Sequence, residues 1–259
     1  MRFQLAAARI SFAAFVIAAA IALAAVAGVR LGLFAYGFGF RLMFPAVGFG
    51  LVAFVAGAAW GISAFRRNEG EGRRPGMIGL FGAMLLLYPP LTTQAGGLVS
   101  PPIHDATTDP HDAPRFVALA KLRKPGENAL DFNAEQRIHF HGEDMTVAVA
   151  LNDYYDQLTH QHGKLLPKAA DPAATLFWRC FKAANSLGWH IVDYSEKEGR
   201  IEATDTDPWF GQVADIVIRV QRSGTIGARF DVRSESRVGE IDYGANLARL
   251  KAFVRKLAD

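Results

Sequence analysis

Hydrophobic and polar positions divide the chain into two halves of different character. Residues 10–29 form an uncharged apolar run, and about 20 such residues suffice to cross roughly 30 Å of hydrocarbon. A second run covers residues 42–65. A third starts at Met77 and fades through Tyr88, Pro89 and Pro90 toward Leu91. The paired prolines remove two backbone donors, so a third helix is expected to end near them. The pattern predicts three transmembrane helices, over residues 10–29, 42–65 and 77–91, within a membrane region of residues 1–99. From His104 onward charged residues recur every few positions, as in a water-soluble domain.

The soluble half carries both structural periods. Ala173, Leu176, Phe177, Cys180, Phe181, Ala184 and Leu187 follow a helical repeat. Asp171 suits its N-cap, Pro172 its first position and Gly188 its stop. Residues 145–151 read as a strand, as do 189–195 and 200–206. Residues 212–222 and 226–236 read as a hairpin around Ser223, Gly224 and Thr225. Ile216, Ile218, Val220, Phe230 and Val232 share one face of it. Asp215, Arg219, Arg229, Asp231, Arg233, Glu235 and Arg237 share the other. Asp242 then caps a last helix with the stripe Leu247, Leu250, Val254 and Leu257. The expected fold is a membrane α-helical N-terminal region plus an α+β domain. The domain has an antiparallel sheet of about four to five strands with two helices on one face. Residues 100–114, which include Pro101, Pro102, Ile103, His104 and Asp105, read as a tether to a domain of residues 115–259.

Charge orients the membrane half. Arg2 and Arg9 precede the first run, and Arg66, Arg67, Arg73 and Arg74 lie between the second and third. Only Arg30 and Arg41 flank the first loop. The positive-inside rule puts six arginines in the cytoplasm and two outside. Three spans then place the soluble domain in the periplasm, whereas two would leave it cytoplasmic. The expected localisation is the bacterial inner membrane, multi-pass, with a periplasmic C-terminal domain. A signal peptide is the rival reading of the first run, with Ala24, Ala25 and Ala27 near a cleavage site. Signal cores span about 7–15 residues, and this run is longer. Gly28/Gly32 and Gly57/Gly61 are small residues four apart. They allow close helix approach, within the chain or with a membrane-protein partner. No acid or histidine lies within a run, which counts against a transporter or pump.

Composition narrows the chemistry further. A net charge of +3 without a basic, aromatic-interleaved patch gives no nucleic-acid footprint. Cys180 is the only cysteine, so no intrachain disulfide forms, and its helical position turns it toward the core. Phosphate loop, dinucleotide fingerprint, zinc-protease motif and nucleophile elbow are all missing from the sequence. No cofactor is implied.

Residues 200–204, Trp209-Phe210-Gly211, residues 214–220 and the run from Asp231 through Arg233, Ser234, Ser236, Arg237, Gly239, Asp242 and Gly244 to Asn246 resemble the family of domain of unknown function 1499. The Pro101–Asp109 stretch is similar to the segment that follows the membrane helices in longer members. Ala214 stands where members often carry a second acid, and residues 139–168 are longer than usual. The resemblance supports the architecture and implies no activity.

Four constellations are candidates for chemistry. Asp215, Arg219, Arg233 and Arg237 lie on the charged hairpin face, where alternating signs form an exposed ladder or arginine forks form an anion or headgroup site. Ser234, Ser236, Arg237, Asp242 and Asn246 bracket a turn, by capping chemistry or as a pocket at the sheet edge. His139/His141 and His160/His162 are pairs two apart; surface histidines are the expectation, with no metal. His104 and Asp105 sit where the tether docks on the domain, or at a site near the bilayer surface. The expected function is a membrane-anchored periplasmic binding or accessory protein of the bacterial envelope, its partners the lipid bilayer and a membrane protein or envelope lipid. The alternative is an envelope enzyme acting on a lipid or cell-wall-derived substrate near the membrane, through His104, Asp105 and Arg237.

Overall fold

A computed structural model describes residues 2–67, 71–98, 100–152, 172–223 and 227–258, with the side chains of 67 and 89–98 left aside. The chain divides into two compact units, Met1–Ala95 and Gly96–Asp259.

The first unit holds three helices: α1 (Arg2–Arg30), α2 (Tyr36–Arg67) and α3 (Arg73–Leu98). Among the described residues two of them, α1 and α2, are long and apolar enough to cross a membrane, rather than the three expected. The third apolar run is helical, but it extends beyond residues 77–91 and continues through Pro89 and Pro90. Large apolar side chains such as Leu23, Phe65 and Leu85 stay exposed, a surface that suits hydrocarbon better than water. The interior is built from small residues instead. Ala14, Ala53 and Ala83 are buried against one another. Ser11 Oγ donates to the Ala53 carbonyl at 2.7 Å, tying α1 to α2. A Cβ at Gly79 would collide with Ser11, one at Gly76 with Trp60 and one at Gly82 with Phe15. Glycine therefore lets α3 approach closely. Of the expected pairs, Gly28 meets Phe34 and Gly57 meets Ser11 and Leu80, whereas Gly61 faces open space. Gly32 lies beyond α1 with φ +71°.

The second unit is built on a five-stranded antiparallel sheet in the order β1-β7-β6-β5-β4. Its strands are β1 (Asp105–Thr107), β4 (His190–Ser195), β5 (Arg200–Thr206), β6 (Val213–Ser223) and β7 (Gly227–Ser236). A separate hairpin pairs β2 (Arg137–Phe140) with β3 (Glu143–Thr146). Helices α4 (Ala173–Ser186) and α5 (Ala245–Ala258) lie on one face of the large sheet. There Ile201, Ile216, Ile218 and Val232 meet Leu176, Phe177, Cys180, Leu247, Leu250 and Phe253. Burial pushes the Cys180 thiol up to about 12, so it is an inert core residue. Pro172 stands just before α4 rather than inside it, and Asp171 lies outside the described residues. Gly188 ends the helix with φ +79°, and Trp189 N–H reaches the Ala184 carbonyl.

Two further expectations are corrected. Residues 147–152 are helical, not a strand. Val147, Ala148, Ala150 and Leu151 are the buried members, a helical spacing rather than an alternation. The other correction is the charged hairpin face, which is not exposed. Residues 109–131 cross it, with Phe116 and the 3₁₀ helix Leu119–Leu122 placed against Val217.

Candidate functional site

Strand register places three acids in one row. Asp105 on β1 lies opposite Glu235 on β7, and Glu235 lies opposite Asp215 on β6. Asp215 and Glu235 are fully buried and Asp105 nearly so. Carboxylates in such a place require cations and hydrogen bonds. Arg233 supplies them to Asp105, with Nε at 3.0 Å and Nη2 at 2.7 Å. The same guanidinium donates to the Pro114 and Leu130 carbonyls and lies 4.9 Å from the Phe116 ring centre. Arg237 grips Asp215 Oδ1 at 2.8 and 2.9 Å. Arg123, from the covering segment, donates to Asp215 Oδ2 at 2.7 Å. Its Nη2 lies 3.1 Å from Glu235 Oε1, an ion pair without hydrogen-bond geometry. Burial, then the nearby charge of Asp105, pushes Glu235 up to about 8. Burial also raises Asp105, against the pull of Arg233.

The cover is fastened at two further points. The Glu202 carboxylate accepts the backbone N–H groups of Val117, Ala118 and Leu119 and the Arg200 guanidinium. An anion thereby satisfies the unpaired donors at a helix start. Arg219 bridges Asp231 at 3.0 Å and the Asp112 carbonyl at 2.7 Å. Every arginine of the expected ladder that lies under the cover is ion-paired.

Ser234, Ser236 and Asn246 lie on the opposite, helix-covered face. Ser234 Oγ donates to Asn246 Oδ1 at 2.7 Å, and Asn246 Nδ2 donates to Ser236 Oγ and the His104 carbonyl. Asp242 accepts from Gly244 N–H at 2.7 Å and Asn246 N–H at 2.9 Å, which starts α5. Burial raises its carboxyl, against these backbone donors. Of the two readings of this turn the bonds are those of capping and turn chemistry, and these side chains face one another rather than a pocket. Ser234 and Asn246 are fully buried and bonded to each other, while Arg237 reaches the other face to meet Asp215.

A polar pocket of about 280 Å³ opens beside β1. His104, Asp105, Asn128, Asp131, Asn133 and Gln136 form its polar lining, with Ile103 and Phe132 among its apolar walls. The His104 and Asp105 side chains do not converge. Asp105 is held by Arg233, and His104 Nδ1 lies 3.3 Å from the Glu240 carbonyl. A larger groove of about 530 Å³ between α1 and α2 is lined by residues such as Phe3, Ile10, Leu51 and Val55, a surface for hydrocarbon rather than for chemistry.

The chain matches a family described as protein of unknown function (DUF1499) over residues 105–257. It belongs to that family. No curated protein and no solved structure matches it significantly. The family match begins at Asp105, the first residue of β1, so the matched region includes the edge strand that borders the pocket.

The sequence reading missed Glu202, Arg200, Arg123 and Asn128. Glu202 was within reach, because alternation between buried Ile201 and Ala203 assigns it to the charged face. Arg123 and Asn128 lie in a segment with no period. His139 pairs with Asp144 at 2.9 Å. His141 sits past the end of β2 with φ 53°, so the two do not share a strand face. His160 and His162 lie outside the described residues.

Proposed function

We propose that the chain is a membrane-anchored binding protein of the bacterial envelope, with its ligand held in the pocket beside β1. The contrast between two polar regions carries this reading. The charged sheet face is neutralised by its own ion pairs and covered. The pocket offers His104, Asp131, Asn133 and Gln136 at the surface. The arginine split supports a cytoplasmic N-terminus, and the periplasmic placement further requires that α3, which is helical but is not, among the described residues, one of the two helices long and apolar enough to cross, also spans. A domain that follows membrane helices in the chain suits a ligand drawn from the bilayer or its surface. The envelope-enzyme alternative has less support, because Asp105 is committed to Arg233 and orients no base.

The test is retention of a small molecule or lipid by the full chain purified in mild detergent, wild type against Ala129→Trp, chosen to place bulk in the pocket lining. The reading expects mass spectrometry to find a near-stoichiometric compound with the wild type and to lose it with Ala129→Trp at an unchanged melting temperature. Equal retention by both proteins would place the compound elsewhere and sink the reading.

A further inference from the structure

The pocket has a one-sided chemistry. Among the described residues its lining contains two carboxylates, Asp105 and Asp131, one imidazole, His104, and no lysine or arginine. The Arg233 guanidinium, which is bonded to Asp105, is 2% exposed. Its Nε, Nη1 and Nη2 all donate within the protein, to Asp105, Pro114 and Leu130. It is engaged by the protein on all three nitrogens. Asn128 spends its amide hydrogens on the Ser236 and Gly239 carbonyls at 2.8 and 2.9 Å. Its remaining polar group is therefore an acceptor. A carboxylate has about four lone-pair sites, so Asp105 keeps acceptor capacity beyond its bonds to Arg233. An anionic group entering here meets like charge and, among the described residues, no lysine or arginine in the lining.

Resting on the pocket reading above, we infer that the pocket takes a ligand bearing a primary ammonium group. The same chemistry is available from the headgroup of an ethanolamine phospholipid or from a free amine. Three N–H donors and a positive charge match the acceptor-rich wall, with charge-assisted bonds to carboxylate of about 2.7–2.9 Å. Ile103 and Phe132 give the methylene stem an apolar side. The volume of about 280 Å³ lies at the small end of ligand sites, which begin near roughly 300 Å³. It suits a headgroup or a short amine rather than a whole lipid.

The experiment uses the full chain in detergent micelles, titrated calorimetrically with ethanolamine, glycerophosphoethanolamine and glycerophosphoglycerol. The two ammonium compounds are expected to bind saturably, and glycerophosphoglycerol, with the same phosphate and no ammonium, is not. Asp105→Asn also disturbs Arg233, so the exposed Asp131 carries the mutational arm. Asp131→Asn should weaken ammonium binding at least tenfold with no change in melting temperature. Glycerophosphoethanolamine binding tenfold or more tighter than ethanolamine identifies the lipid as the source, and equal affinities identify a free amine; both support the inference. Binding of glycerophosphoglycerol in preference to ethanolamine overturns the ammonium assignment and leaves the pocket standing. Silence from all three probes, while Ala129→Trp still strips a co-purified compound, has the same meaning. Silence together with unchanged retention in Ala129→Trp overturns the pocket as well.

Discussion

Glu202 and Leu119 are 83 residues apart and joined at 2.7 Å, the carboxylate on β5 accepting the backbone N–H that starts the 3₁₀ helix. The same carboxylate takes the N–H groups of Val117 and Ala118. It is one of the fastenings between the sheet and the segment that seals its charged face. Glu202→Ala strands three backbone donors and leaves Arg200 only its outer partners, Asp193 and Glu198. Removing one partner from a buried charged network costs about 3–5 kcal/mol. Urea denaturation should show a loss of that size, together with new protease cleavage near residue 119. A loss below about 1 kcal/mol would mean that the cover is held by its apolar contacts alone.

Glu235 makes the domain sensitive to pH. Its carboxyl is raised to about 8 by burial and by Asp105, so the folded state holds this proton more tightly than the unfolded chain does. The resulting stabilisation is fully present below the unfolded value near 4.5 and is lost as pH rises through about 8. Asp105 is raised as well and acts in the same direction. Unfolding free energy should therefore fall between pH 5 and pH 9, and Glu235→Gln should flatten that fall and exceed the wild type at pH 9. Parallel curves for the two proteins would show that Glu235 is ionised throughout.

Arg233 and Arg237 differ in what they leave behind. Arg233→Ala strips Asp105 of its three hydrogen bonds from that guanidinium in a buried row. Arg237→Ala leaves Asp215 with Arg123 at 2.7 Å. The first should cost about 3 kcal/mol or more and the second about 1–2 kcal/mol. Thermal melts of the two variants decide the order. Equal losses, both under about 1 kcal/mol, would restore the exposed ladder that alternation alone suggests.

Periodicity made much of this domain legible. Strands β4 to β7 and both sheet-packing helices follow from alternation, helical spacing and the glycine stop at 188, because each of these elements buries one face. β1 was hidden, since three residues in a run rich in Pro, Thr and Asp carry no period. Only the register against Arg233, Ser234 and Glu235 makes it a strand. Alternation sorted the charges of β6 and β7 onto one face without saying what lay above them. The cover is held by backbone N–H groups on Glu202 and by Arg123 on Asp215, contacts that leave no pattern in a single chain. The turn around Asp242 was readable because a cap is local. The pocket was not, since its wall joins β1 to residues 128–136 through tertiary folding.

The helical unit gives a test with its own control. Gly79 on α3 faces the Ser11 side chain and backbone, and any Cβ there collides with both. Gly61 on α2 has no atom within 4 Å of such a Cβ among the described residues. Both lie within long helices, where replacing glycine by isoleucine is mildly favourable for the isolated helix. Gly79→Ile must nevertheless push α3 away from α1, and overpacking of this kind costs about 1–3 kcal/mol. In the full chain, titrated from mild detergent into dodecyl sulfate, Gly79→Ile should lower the unfolding midpoint clearly while Gly61→Ile stays at the parental value. Equal midpoints for both variants would show that α3 does not depend on glycine contact with α1, and the close approach through Gly76, Gly79 and Gly82 would lose its role.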